Sequence, residues 1–160
     1  MITTKWSFGE CGIDDALRIR RAVFIEEQGI AESDEMDGTD RSCAHFVAYG
    51  DDGEPAATGR ILITNDTFFI GRVAVLAKLR GQGYGTLVMN TLIDACHMMG
   101  GESQTVHAQT SAIKFYEKLG FRRVGGVFAE AGIDHVTMVR EGGPRGCACR
   151  APKDEGCDEA

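Results

Sequence analysis

Apolar and polar positions along this chain alternate between two periods, one of two residues and one of three to four. Residues 3–9 read as a short strand, and residues 10–14 punctuate it before a helix that extends to about residue 28. That helix carries Ile13, Ala16/Leu17 and Val23/Phe24 along one side. Continuing the stripe puts Arg20 between the apolar pairs and Glu27 at its end. A charged group on a buried side must be paired or functional. The pattern therefore allows either an Arg20–Glu27 or Arg21–carboxylate ion pair, or Glu27 facing a pocket.

The period then shortens to two. In residues 43–49, Ala44, Phe46 and Ala48 fall on one face and His45, Val47 and Tyr49 on the other, before the turn signal Asp51-Asp52-Gly53. Residues 55–64 are β-rich, and Asn65-Asp66 returns the chain into residues 68–75. Three hairpin-connected strands predict an antiparallel meander. Residues 86–99 revert to the helical period, with Val88, Thr91/Leu92, Ala95 and Met99 on the side that covers a face of the meander. Gly100-Gly101 ends this helix. A strand over 104–109 carries His107 and Gln109 on one face, a helix over 111–119 stops at Gly120, and strands follow over 121–128 and 134–140. Beyond residue 141 no apolar period remains, so 142–160 is expected to be a flexible or loosely packed tail.

Between the meander and its covering helix lies Arg80-Gly81-Gln82-Gly83-Tyr84-Gly85. The first N–H groups of a helix have no internal partner and its dipole favours negative charge, so a glycine-dense entry is a ready anion site. Arg80 adds a formal positive charge, and phosphate is the natural guest. The spacing is not that of a P-loop, nor the GxGxxG of a dinucleotide fold with its ribose-binding acid.

At 160 residues the chain suits one domain, and 43% hydrophobic with 26% charged residues is the balance of an ordinary globular protein. A net charge of −7 argues against nucleic acid as a partner. No long apolar run or leader pattern is present, so no membrane association and a cytoplasmic location are expected. Cys11, Cys43 and Cys96 are expected to be buried free thiols. Cys147, Cys149 and Cys157 lack a CxxC pair or a His partner, and no metal is expected. Residues 26–40 hold seven acids and no base until Arg41, read as a loop that is either a solvated face or a roof attracting a cationic substrate.

The Arg80–Gly85 run has the form R-x-x-G-x-G and comes after a strand ending Val73-Ala74-Val75. Downstream, residues 112–121 read Ala-Ile-Lys-Phe-Tyr-Glu-Lys-Leu-Gly-Phe. The two in this order resemble the GNAT N-acetyltransferase superfamily. The words around Arg21–Gln28, Asp37-Gly38, Ala108-Gln109 and residues 130–135 are similar to its ElaA/YjcF-like branch. The resemblance spans about residues 10–140. Pattern and resemblance together predict an α+β, GNAT-like single domain over 1–141: a mixed, mostly antiparallel sheet of about six or seven strands with helices on both faces.

The resemblance implies acetyl-CoA as cosubstrate and a primary amine of a small molecule or peptide as acceptor, attacked directly in a ternary complex. Val73, Ala74 and Val75 would pair with the pantetheine amides as an added strand does. The backbone from Gly81 through Gln82, Gly83, Tyr84 and Gly85 to Thr86 would hold the pyrophosphate beside Arg80. Gln109 stands where many relatives have an Asn that contacts pantetheine. Tyr116 would protonate the leaving thiolate. A base for the incoming amine is sought among Glu27, His135 and His107, with His45 and Asp37 behind them. A non-catalytic acyl-CoA sensor, a nucleotide module unrelated to CoA, and a homodimer are left open by the sequence.

Overall fold

The computed structural model describes residues 1–143, and within them the two periods become seven strands and four α-helices. Numbered in chain order, β1 (Thr3–Phe8), β2 (Cys43–Tyr49), β3 (Pro55–Thr64) and β4 (Thr67–Val75) form an antiparallel meander. Asn65 and Asp66 turn β3 into β4 at φ of 48 and 60°, the left-handed pair a two-residue hairpin demands. After α3 (Tyr84–Met98), β5 (Ser103–Gln109) lies parallel to β4, and β6 (Arg122–Glu130) and β7 (Ile133–Glu141) complete the order β1-β2-β3-β4-β5-β7-β6. The β4/β5 junction is the parallel one, and its registered pair is Phe69 opposite Thr105. α4 (Ile113–Lys118) comes after a short 3₁₀ turn at Thr110–Ala112.

Helices cover both faces, as the alternation in β2 requires. Phe46 and Ala48 join Ile61, Val88, Leu92 and Met138 in the core beneath α3, while Val47 packs with Ala16, Ile19, Val23 and Phe24 on the other side. The fully buried row of α3 is Val88, Met89, Leu92, Ile93 and Cys96. Met99, expected on that row, lies past the last turn at 45% exposure. Gly59 of β3 permits the close approach: a Cβ there would sit 2.6 Å from Leu92 Cδ1 and 3.0 Å from Val88 Cγ1.

The first helix departs from the sequence pattern near its end. It is α-helical as α1 (Asp14–Arg20), then widens into a π-helical segment at Arg21–Glu27, with Gln28 N–H donating to Val23 O across five residues. Each extra residue in a turn rotates the downstream side chains by about 100°. Glu27 is thereby carried off the buried stripe to an exposed position. The acidic stretch after it is not a bare loop, since it contains the short helix α2 (Glu32–Glu35). Cys43 and Cys96 are buried thiols as expected, whereas Cys11 is exposed. Cys147, Cys149, Cys157 and the tail from residue 144 lie outside the described residues. Among the described residues, no helix is long and apolar enough to cross a membrane.

Candidate functional site

A one-residue bulge in β4 shapes the site. Opposite the single Gly59 of β3, β4 supplies both Arg72 and Val73, and Arg72 takes φ 52°. An extra residue bends its strand. Past Phe69 the ladder to β5 records no further pair, and a cleft of about 1030 Å³ opens there. Val73, Ala74 and Val75 line one wall, His107 and Gln109 the other.

One end of the cleft is the start of α3. Its first internal bond runs from Leu87 N–H to Gly83 O at 3.0 Å, so the amides of Tyr84, Gly85 and Thr86 precede any intrahelical donor, and no side chain caps them. Gly81 and Gly83 sit at φ 77 and 89°, a region closed to most side chains. Gly81, Gly83, Tyr84, Gly85 and Thr86 all line the cleft, with the Tyr84 ring turned into the core. Gln82 is not among the lining residues; its amide nitrogen donates to Lys78 O at 3.4 Å. The arrangement offers backbone donors to an anion.

Arg80 does not supply the free charge the sequence suggested. Its guanidinium donates to both Glu27 carboxylate oxygens at 2.6 and 2.7 Å and to Val75 O at 3.1 Å. The predicted Arg20–Glu27 pair is therefore replaced by an Arg80–Glu27 one. The hydrogen bonds from Arg80 hold the Glu27 carboxyl below its ordinary range, and Glu27 does not line the cleft. Gln109 donates to Gln28 Oε1 at 2.8 Å, joining β5 to the end of the π segment.

Tyr116 of α4 lines the cleft, its half-buried ring edge-on to both Phe115 and Phe121. Burial pushes its phenol up to about 12, which keeps the proton on oxygen at neutral pH. His135 of β7 is buried, and its Nδ1 lies 2.7 Å from Ile133 O. A carbonyl only accepts, so Nδ1 carries the proton and Nε2 of the neutral ring keeps a lone pair. His107 stands edge-on between Phe69 and Phe128. His45 is buried outside the cleft with Nε2 donating to Asp40 O at 3.0 Å.

Asp34, Glu35 and Asp37 of the acidic stretch also line the cleft, and arginines clamp the stretch in place. Arg20 bonds Glu35 at 2.5 Å and Asp40 at 2.8 Å, while Arg60 bonds Asp40 at 2.8 Å and Asp37 at 2.9 Å. Arg72 reaches Glu35 O at 3.0 Å and Asp37 at 3.2 Å, and Arg21 pairs with Glu32. Burial alone would raise the Asp40 carboxyl, but hydrogen bonds from Arg20 and Arg60 outweigh it and hold the group well below the ordinary range. Asp40, Cys43 and His45 bring three potential ligand atoms together, yet two guanidiniums already occupy the carboxylate. The sequence pattern had passed over Arg60, Arg72 and Glu130. Two arginines in otherwise apolar strands are the signal that marks such a cluster.

Residues 22–141 match the acetyltransferase (GNAT) domain family. The uncharacterized N-acetyltransferase YjcF of Bacillus subtilis is 33% identical over 131 residues, covering 81% of this chain and 92% of YjcF. The crystal structure of Escherichia coli ElaA superposes with a TM-score of 0.77 at 31% identity, over 88% of this chain and 100% of that one. A GNAT family acetyltransferase from Elizabethkingia anophelis, solved with acetyl-CoA bound, shares the fold at a TM-score of 0.67 and 16% identity, over 88% and 97% of the two chains.

Proposed function

Because this chain belongs to the GNAT acetyltransferase family, we propose that it moves an acetyl group from acetyl-CoA to a primary amine by direct attack within a ternary complex. The observation that carries the reading is the parting of β4 from β5 beside the uncapped start of α3. That geometry suits a ligand with a diphosphate at one end and a thin, amide-bearing arm behind it. The amides of Tyr84, Gly85 and Thr86 fit the diphosphate without a side-chain cation. The unpaired edge of Val73–Val75 fits the arm, which lies there as an added strand.

Tyr116 and His135 divide the proton work. His135 Nε2 takes a proton from the acceptor, and the freed amine nitrogen bonds to the thioester carbonyl carbon as the carbon–sulfur bond breaks. Tyr116 gives its proton to the departing sulfur, and the proton shed by the newly bonded nitrogen restores the phenol. Products are the amide and the CoA thiol, with His135 returning its proton to water. Glu27, whose carboxylate Arg80 has claimed, acts instead as an anchor for the phosphate loop. The buried free thiols Cys43 and Cys96 accord with a reducing, cytoplasmic setting.

An amine panel with acetyl-CoA, read by release of free thiol, tests the reading. Amine-dependent thiol release with a stoichiometric N-acetyl product is expected. Binding of acetyl-CoA with no transfer to any amine would instead favour a non-catalytic sensor.

A further inference from the structure

Four carboxylates line the cleft: Asp34, Glu35, Asp37 and Glu130. Glu35 and Asp37 are engaged by arginines, and Asp34 sits on the exposed side of α2. Glu130 is in a different situation. The β6–β7 turn, bent by Ala131 and Gly132 at φ 52 and 75°, swings it over the cleft between two imidazoles. Its Oε1 lies 3.5 Å from His107 Nδ1 and its Oε2 lies 3.7 Å from His135 Nε2.

The second of those contacts is the informative one. In the neutral form that a base requires, His135 commits its Nδ1 proton to Ile133 O at 2.7 Å and turns the Nε2 lone pair toward a carboxylate oxygen of Glu130. Two acceptors thus face each other, and a donor between them would satisfy both. An anion would be repelled by Glu130, a single hydroxyl has only one proton to give, and water or an uncharged amine brings two donors but no charge to meet the carboxylate's. An ammonium has three N–H donors and the opposite charge. The rings of Phe69 and Phe128 flanking His107 keep this wall apolar and strengthen the charge contrast.

We infer that Glu130, with His107 and His135, is the acceptor-recognition site, and that the acceptor is a cationic primary amine whose ammonium docks between Glu130 and His135. This rests on the amine-acetyltransferase reading above. Docking there places one ammonium proton against His135 Nε2, the atom that must receive it, so recognition and deprotonation occur at one place.

Steady-state acetylation by the full-length protein tests it, with diaminobutane as a cationic probe and hydroxylamine as one uncharged at neutral pH. In Glu130→Gln the diaminobutane KM is expected to rise at least about tenfold with kcat within about threefold, while hydroxylamine kcat/KM and the acetyl-CoA KM stay within about twofold. Glu130→Asp, which keeps the charge, is expected to recover most of the loss. Equal losses on both nucleophiles would make Glu130 a structural residue of the hairpin, and no loss on either would remove it from the site; each overturns the inference alone. Acetyl-CoA binding with no transfer to either nucleophile by the unaltered protein would overturn the acetyltransferase reading, and this one with it.

Discussion

Tyr116 is the residue on which turnover, as distinct from cofactor binding, should depend. Its phenol, pushed up to about 12 by burial, would be a reluctant acid, giving up its proton only as charge develops on sulfur. Tyr116→Phe preserves the ring packing against Phe115 and Phe121, so acetyl-CoA affinity is expected to hold within about twofold while kcat falls at least about tenfold. Paired binding and turnover measurements separate the two; an unchanged kcat removes Tyr116 from the mechanism. Its place on the cleft wall was legible because it sits in a dense local word, Phe115-Tyr116 before Gly120-Phe121. Glu27 was misread for a reason equally local. The π-helical widening before it moves the side chain around the helix, and no feature of the apolar period announces such a widening. Glu130 escaped notice because one acid at a hairpin tip looks like any solvated charge until the fold brings His107 and His135 to it.

Among the elements, the turn from the 3₁₀ segment into α3 is where backbone geometry matters most. A Cβ on Gly83 would meet no protein atom within 4 Å, so crowding by the rest of the fold is not what excludes side chains there. The φ of 89° is the constraint. A β-branched residue cannot adopt it without strain of roughly 1–3 kcal/mol, and relaxing the turn would swing the amides of Tyr84, Gly85 and Thr86 apart. Gly83→Val is therefore expected to weaken acetyl-CoA binding more than about tenfold in a calorimetric titration, with the melting temperature of the free protein lowered only modestly. Retained affinity would mean that the loop is not held in the conformation described. Most elements could be placed from the sequence, since the meander, α3 and α4 rest on long-range periods and strong turn signals. The β4 bulge and the π segment could not, because each shifts the phase of its pattern by a single residue, too late in a short segment for the remaining positions to reveal it.

At the scale of the molecule, the Arg20, Arg60 and Arg72 cluster ties α1, α2, β3 and β4 together through Glu35, Asp37 and Asp40. Asp40 is depressed in the folded protein despite its burial, and Asp37 likewise, each through arginine hydrogen bonds. A carboxyl with a lowered folded pKa contributes stability that is complete above its unfolded value near 3.9 and lost as pH falls through the folded one. Burial also lowers His45, so acid must charge a ring the fold keeps neutral, and that loss begins higher, as pH falls below about 6.5. Melting temperature is accordingly expected to decline from about pH 6 and fall steeply below about pH 4. Asp40→Asn is expected to cost about 3–5 kcal/mol at neutral pH, a gap that narrows in acid. A pH-independent gap would show that the charge on Asp40 does not hold the cluster.

The β4/β5 junction also bears on the mechanics of the sheet. Where β1 and β2, or β5 and β7, share six or more registered pairs, these two strands share the Phe69–Thr105 pair, so the sheet consists of two antiparallel halves joined by a short parallel seam and by the core they share beneath α3. A pantetheine arm laid along Val73–Val75 would act as the missing strand and bolt the halves together. The donor substrate would then be part of the scaffold for one catalytic cycle, and each departure of CoA would leave the seam held by the core beneath α3 alone.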